Sequence, residues 1–187
     1  MTPVSPTTPK SPTTPAGPVR IAPADSADAG ALAALVNDVY RVAEEGLWPP
    51  GTTRTSTDEI AALTAAGELL VASLDGEIAG VVRVRTLDEG TGEFGMLAGS
   101  RTHRGAGVGT ALIRAAEERA RDAGRTTMQL EILVPRDWAH PSKEFLRAWY
   151  GRLGYRHRRN EPLALTYPHL APLLATPCDL TVWSKPL

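Results

Sequence analysis

The tightest constraint on this chain is Arg104-Gly105-Ala106-Gly107-Val108-Gly109-Thr110, three glycines alternating with other residues just before a helical stripe. Val108, Ala111, Leu112, Ala115, Ala116 and Ala120 recur at helical spacing, and Gly124 supplies the stop. A stripe made mostly of alanine lets a helix lie close to a sheet. Upstream, Gly92 to Ala98 reads as a strand, so the glycines occupy a strand-to-helix turn. Glycines there allow close approach of the backbone to a ligand. Free amides at a helix start, together with the positive end of its dipole, make an anion site, and phosphate is the expected guest. A nucleotide-hydrolase loop requires Gly-Lys-Ser/Thr, yet Thr110 follows Gly109 directly. The dinucleotide fingerprint fails as well. Counted from Gly105, its third glycine falls at Thr110, and the strands before it form a hairpin rather than a βαβ unit.

That hairpin is Glu68 to Leu74 and Glu77 to Arg85 flanking Asp75-Gly76, the strongest short signal for a two-residue turn. Before it, Val19 to Ile21 reads as a short strand, and Leu32, Leu35, Val36 and Val39 mark one face of a helix starting after Ser26. Ser56 followed by Glu59 is a capping box for a second helix through Ile60 and Leu63. Thr127 to Val134 is a nearly continuous apolar strand, as expected when both faces are covered. Ser142 is the expected cap of a helix carrying Phe145, Leu146, Trp149, Tyr150 and Leu153, and Asp179 to Trp183 reads as the last strand. The order is mixed α/β with antiparallel hairpins first.

The 187 residues suit one domain, expected over residues 19–187, behind a Pro/Thr-rich tail at residues 1–18 that is expected to be disordered because it has too little apolar content to repay ordering. A formal charge of −1 argues against nucleic acid or an anionic membrane as partner. The single Cys178 excludes an internal disulfide, the histidines at 103, 140, 157 and 169 lack metal-ligand spacing, and no metal is expected. With no apolar run near the length of a membrane span and no secretory stretch at the N-terminus, a cytoplasmic setting is expected.

Arg104-x-x-Gly107-x-Gly109, preceded by Met96-Leu97-Ala98 and followed by Leu112, resembles the acetyl-CoA signature of the Gcn5-related N-acetyltransferase (GNAT) superfamily. Some forty residues on, Trp149-Tyr150-Gly151-Arg152-Leu153-Gly154-Tyr155 is similar to the family's second hallmark. The resemblance implies a mostly antiparallel twisted sheet of six to seven strands flanked by about four helices. It implies acetyl-CoA as co-substrate, its pyrophosphate held by the amides of Arg104, Gly105, Ala106, Gly107, Val108, Gly109 and Thr110. Leu97, Ala98 and Gly99 are implied to pair with the pantetheine arm; Gly99 stands where the family usually has valine, a change that costs packing rather than chemistry.

An alkyl amine of pKa near 10.4 is about 99.96% protonated at neutral pH, so forming the nucleophile costs roughly 4 to 5 kcal/mol unless a base removes the proton. Glu93, eleven positions before Arg104, resembles the general base of some family members, its alternative being a surface strand residue; Glu131 on the next strand is the reserve, its alternative a structural role. Glu93, Gly95 and Leu97 are expected on one strand face. Tyr150 occupies the family's position for the acid that protonates the departing thiolate, with a core aromatic as the alternative, and the Leu97 amide is placed to polarise the thioester carbonyl. A covalent route through Cys178 is disfavoured, since no histidine neighbours it and a lone cysteine is most often a small buried hydrophobe. Arg156 to Arg159 reads as a solvated strand edge.

Residues 41–55, with Glu44, Glu45, Trp48, Pro49, Pro50 and Arg54, are implied to wall the acceptor pocket, where the acidic groups and tryptophan offer a place for a cationic amine. Nineteen positions separate Glu131 from Tyr150, against about twelve in many relatives, so Pro135 to Lys143 is an inserted loop. The expected activity is acetyl transfer from acetyl-CoA to a small-molecule primary amine by direct attack. A non-catalytic acyl-CoA sensor and a protein N-terminal or lysine acetyltransferase are the alternatives, and homodimerisation is left open.

Overall fold

In the computed structural model, which describes residues 17–187, β1 (Arg20–Pro23) and β2 (Leu69–Leu74) pair antiparallel, and β2 turns into β3 (Glu77–Thr86) through Asp75 and Gly76. Both turn residues have positive φ, 51° and 85°, the backbone that a two-residue hairpin turn requires. Then follow β4 (Thr91–Gly99), β5 (Thr127–Pro135), β6 (Arg156–Pro162) and β7 (Cys178–Pro186), in the sheet order β1-β2-β3-β4-β5-β7-β6. Every neighbour pair is antiparallel except β4–β5. The seven-stranded, mostly antiparallel α/β sheet is the fold expected. The tail reading falls, through residue 16, outside the described residues.

Among the described residues five helices pack on the sheet: α1 (Ala29–Ala43), α2 (Thr57–Ala65), α3 (Val108–Asp122), α4 (Pro141–Arg152) and the short α5 (Leu163–Thr166). On one face α3 and α4 pack over Val84, Phe94, Leu130, Ile132 and Tyr155; on the other, α1 and α2 pack over Leu69, Val71, Val81 and Met96. Among the described residues no helix is long and apolar enough to cross a membrane.

Local chemistry explains most boundaries and several departures from expectation. The Ser56 hydroxyl accepts the Glu59 N–H at 3.1 Å, but the Glu59 carboxylate takes the Thr55 hydroxyl at 2.8 Å instead of closing the capping box. The cap of α4 is His140, not Ser142: its Nδ1 accepts the Ser142 N–H at 3.2 Å, and Pro141 fits the first helical position because no N–H is needed there. Phe145, expected in the core stripe, is 57% exposed, while Tyr150 is 5% exposed. On α3 the buried face holds Ile113 and Glu117 in place of the half-buried Ala111 and Ala115. Glu117 is tolerated there because the Tyr155 hydroxyl (2.8 Å) and the Lys185 ammonium (2.9 and 3.0 Å) both donate to it. The basic run of β6 lies exposed on the outermost strand, as expected.

Two irregularities in β4 position the site. Its pairing with β5 spans only Thr91–Glu93 against Thr127–Gln129, whereas β5 stays paired with β7 over all nine residues. From Phe94 onward β4 and β5 diverge, leaving one backbone edge of β4 without a strand partner. In addition, Met96 adopts φ 49° at a bulge where the β3–β4 register shifts between Val81 and Arg83. The inserted residue reverses the alternation. Met96 and Ala98 therefore join the α1 side with Glu93 and Gly95, and Leu97 turns to the α3 side, contrary to the expectation that Leu97 shares a face with Glu93.

Candidate active site

The glycine turn has two physical causes. Gly105 and Gly107 sit in the left-handed region, at φ 86° and 79°, and a Cβ on either would stand in open space. Gly107 caps α3 without any side-chain hydrogen bond, so the first-turn amides of Val108, Gly109 and Thr110 point outward unbonded. Gly109 is required for a different reason: a Cβ there would come within 2.9 Å of the Trp149 indole on α4. The Arg104 and Ala106 amides donate to the Arg101 and His103 carbonyls at 3.4 and 3.2 Å. Of the seven amides expected to face an anion, those of Gly105, Gly107, Val108, Gly109 and Thr110 are left without a backbone partner.

The turn's partner on α4 lies beside it. Trp149 stacks on Tyr150 (centroids 5.1 Å), and Tyr150 packs on Phe94, the first β4 residue past the divergence, at 5.8 Å. Burial pushes the Tyr150 phenol far above its ordinary range, with Tyr40 adding to the shift, so it is a hydroxyl at every ordinary pH. Leu97 is half-buried on the same face, Ala98 is buried opposite, and a Cβ on Gly99 would meet nothing, so a valine there would fit.

On the other face lies a cleft of about 1050 Å³ between the α1–α2 connection and the β6–β7 connection. Glu93 and Glu131 line it, both beside the divergence. Glu93 is buried, and Arg85 holds its Oε1 through Nε at 2.8 Å and through its terminal nitrogen at 2.7 Å. Glu131 is half-buried and accepts the Tyr167 hydroxyl at 3.0 Å. Burial raises the Glu131 carboxyl above its ordinary value, and the Glu93 charge raises it further, against the lowering effects of Tyr167 and Arg85. Tyr40, also on the cleft, is pushed up to about 12, mainly by burial. Arg54 stands over its ring at 5.2 Å.

Most of residues 41–55 are exposed, but Glu44 and Trp48 are half-buried and their polar groups already have partners. Glu44, expected to receive a cation, is held by Lys143 at 2.8 Å and by the Trp48 indole N–H at 2.7 Å. Lys143 is only 4% exposed. His140 Nε2 lies 3.1 Å from the Glu45 carbonyl, and because Nδ1 accepts from Ser142, Nε2 is the nitrogen that donates. Residues 135–143 are therefore fastened to residues 41–55 through His140 and Lys143. Cys178 is buried, its thiol pushed up to about 11 mainly by burial, which makes a thiolate nucleophile still less available.

The family model described as the acetyltransferase (GNAT) family matches residues 33–155. The chain belongs to this family. The GNAT fold is shared with N-acetylglutamate synthase from Neisseria gonorrhoeae complexed with coenzyme A and N-acetyl-glutamate (TM-score 0.65, 19% identity), over 90% of this chain and 35% of that one. It is also shared with yncA from Salmonella typhimurium, solved with its cofactor acetyl-CoA (TM-score 0.66, 21% identity, 91% of this chain and 95% of that one). The Brucella melitensis ribosomal-protein-alanine N-acetyltransferase is a third (TM-score 0.67, 18% identity, 90% and 99%). The present chain spans about a third of the length of the Neisseria protein. No curated protein sequence matches it. As a GNAT acetyltransferase it uses acetyl-CoA as co-substrate, and the open cradle over Gly105 and Gly107 together with the unpaired edge of β4 fit that molecule.

Sequence reasoning passed over Tyr40, Arg85, Tyr167 and Lys143 among the residues described here. Tyr167 and Lys143 meet Glu131 and Glu44 from 36 and 99 positions away, respectively, and carry no local motif.

Proposed function

We propose that this GNAT acetyltransferase acetylates the primary amine of a small molecule by direct attack in a ternary complex. The observation that carries the reading is the divergence of β4 and β5, with Tyr150 and the glycine turn on one face and two carboxylates in a cleft on the other. Bound acetyl-CoA supplies the activated acetyl thioester. The Gly105, Gly107, Val108, Gly109 and Thr110 amides hold the pyrophosphate, and the β4 edge at Leu97 to Gly99 hydrogen-bonds the amide arm as an added strand does. The Leu97 N–H polarises the thioester carbonyl. Glu131 takes the ammonium proton: its raised carboxyl is the better matched to that task, and Glu93, pinned by Arg85, keeps it raised. Tyr150 donates a hydrogen bond to the leaving sulfur. The cleft's volume of about 1050 Å³, close to the upper end for small-ligand sites, supports a small acceptor over a protein segment.

Thiol release from acetyl-CoA with a panel of primary amines tests this. Transfer above hydrolysis is expected, and Tyr150→Phe is expected to lower kcat about tenfold or more while leaving coenzyme A affinity unchanged. Tight coenzyme A binding with no transfer to any amine identifies a sensor instead. Transfer to peptide amines alone identifies a protein acetyltransferase.

A further inference from the structure

The acceptor cleft holds acidic groups in two settings, and they are not equivalent. At the divergence, Glu93 and Glu131 share Arg85, and the neighbouring Arg83 is paired with Glu68, so the inner end carries one net negative charge, enough for one ammonium. Farther along the wall Glu44 also lines the cleft, but the buried Lys143 neutralises it and the Trp48 indole occupies its other oxygen. Glu45 and Glu59, at the rim, are exposed, where water screens them and the Arg54 charge opposes them. The walls between are apolar: Trp48, Leu133, Leu163, Leu170, Leu173 and Leu180.

We infer that Lys143 is a specificity-determining residue: by cancelling Glu44 it restricts the acceptor to a monocationic amine carried on an apolar body and rejects amines with a second ammonium. The inference rests on the reading of this cleft as the acceptor site. A second ammonium placed against the wall would lose its water and meet a neutral ion pair, a cost with no compensation. An alkyl or aryl body there buries apolar surface against the tryptophan and leucines. The inserted segment, by delivering Lys143 and stacking Trp138 on His140 (5.2 Å) over the Gly46 turn, turns an acidic wall into a neutral one.

Calorimetric titration of hexylamine and its α,ω-diamine into the protein saturated with coenzyme A tests the inference without requiring turnover. The wild-type protein is expected to bind the monoamine about tenfold more tightly. Lys143→Met, which leaves Glu44 charged, is expected to invert that order. The double variant Glu44→Gln/Lys143→Met, with neither charge, is expected to restore the monoamine preference. Should Lys143→Met not fold, Glu44→Gln alone supplies the opposite case: the unneutralised ammonium of Lys143 is expected to weaken both amines, the diamine more. Equal affinity of the two amines in the wild type, failure of the monoamine to bind, or an unchanged ratio in the single variants would overturn the inference. Acetyl transfer, followed separately, distinguishes this failure from failure of the catalytic reading: monoamine preference without transfer keeps the selectivity and removes the chemistry.

Discussion

The two faces of the sheet are built by different means. On the α3–α4 face the proposed donor site is made from backbone: amides at a helix start, left-handed glycines and a strand edge. On the cleft face the proposed acceptor site is made from side chains that meet across long stretches of chain, Lys143 on Glu44 and Tyr167 on Glu131. A backbone site suits a co-substrate that never changes, at the cost of requiring glycine where the turn is left-handed or closely packed. A side-chain site changes its guest with single replacements, which is what an acceptor pocket needs within a family whose members act on different amines.

Four substitutions probe that contrast, beginning with the strongest. Glu131→Gln should lower kcat/KM for the amine by about 10²- to 10⁴-fold with coenzyme A affinity unchanged, the signature of a side-chain role confined to the cleft. Glu93→Gln should cost less; a larger loss from Glu93→Gln in parallel steady-state assays would transfer the base to Glu93. Next, Gly109→Ala should destabilise the fold by about 1 to 3 kcal/mol, read from the thermal midpoint, because its methyl meets the Trp149 indole. If coenzyme A affinity falls while the midpoint stays put, Gly109 serves the ligand rather than the α3–α4 contact.

The smallest effect concerns pH. Tyr167 donates to the Glu131 carboxylate and so favours the charged form. Tyr167→Phe should let the Glu131 carboxyl rise further, moving the acid limb of kcat/KM to higher pH and leaving the plateau within a few-fold. The sign extends to stability. A carboxyl raised on folding stabilises the protein below its unfolded pKa, and that contribution is lost as pH rises through the folded value. The variant's unfolding free energy should therefore fall more steeply than the wild type's across the weakly acidic range. An unshifted acid limb would mean that Tyr167 is only packing.

Legibility followed the same division. The Asp75-Gly76 hairpin, the glycine turn and the Trp149 to Tyr155 segment were readable because each depends on neighbours within a few residues. The cap of α4 was misassigned to Ser142 because a histidine ring rarely serves as a cap and its acceptor role depends on the Glu45 carbonyl fixing the tautomer. The placement of Leu97 failed because period-two reasoning cannot foresee the extra residue at Met96. Phe145 was placed in the core by spacing alone, yet only the packing of α4 on α3 and the sheet decides which side of that stripe is covered.

Taken by itself, the amino-acid order determined the strand-and-helix succession, the phosphate-type turn and the family, since these rest on backbone conformation imposed by local residue types. Only the tertiary structure decided that Glu93 is pinned by Arg85, that Glu131 is raised and held by Tyr167, and that Lys143 neutralises Glu44. The reason is physical: the charge state and availability of a side chain depend on burial and on which distant groups fold against it, and neither quantity is local in the chain.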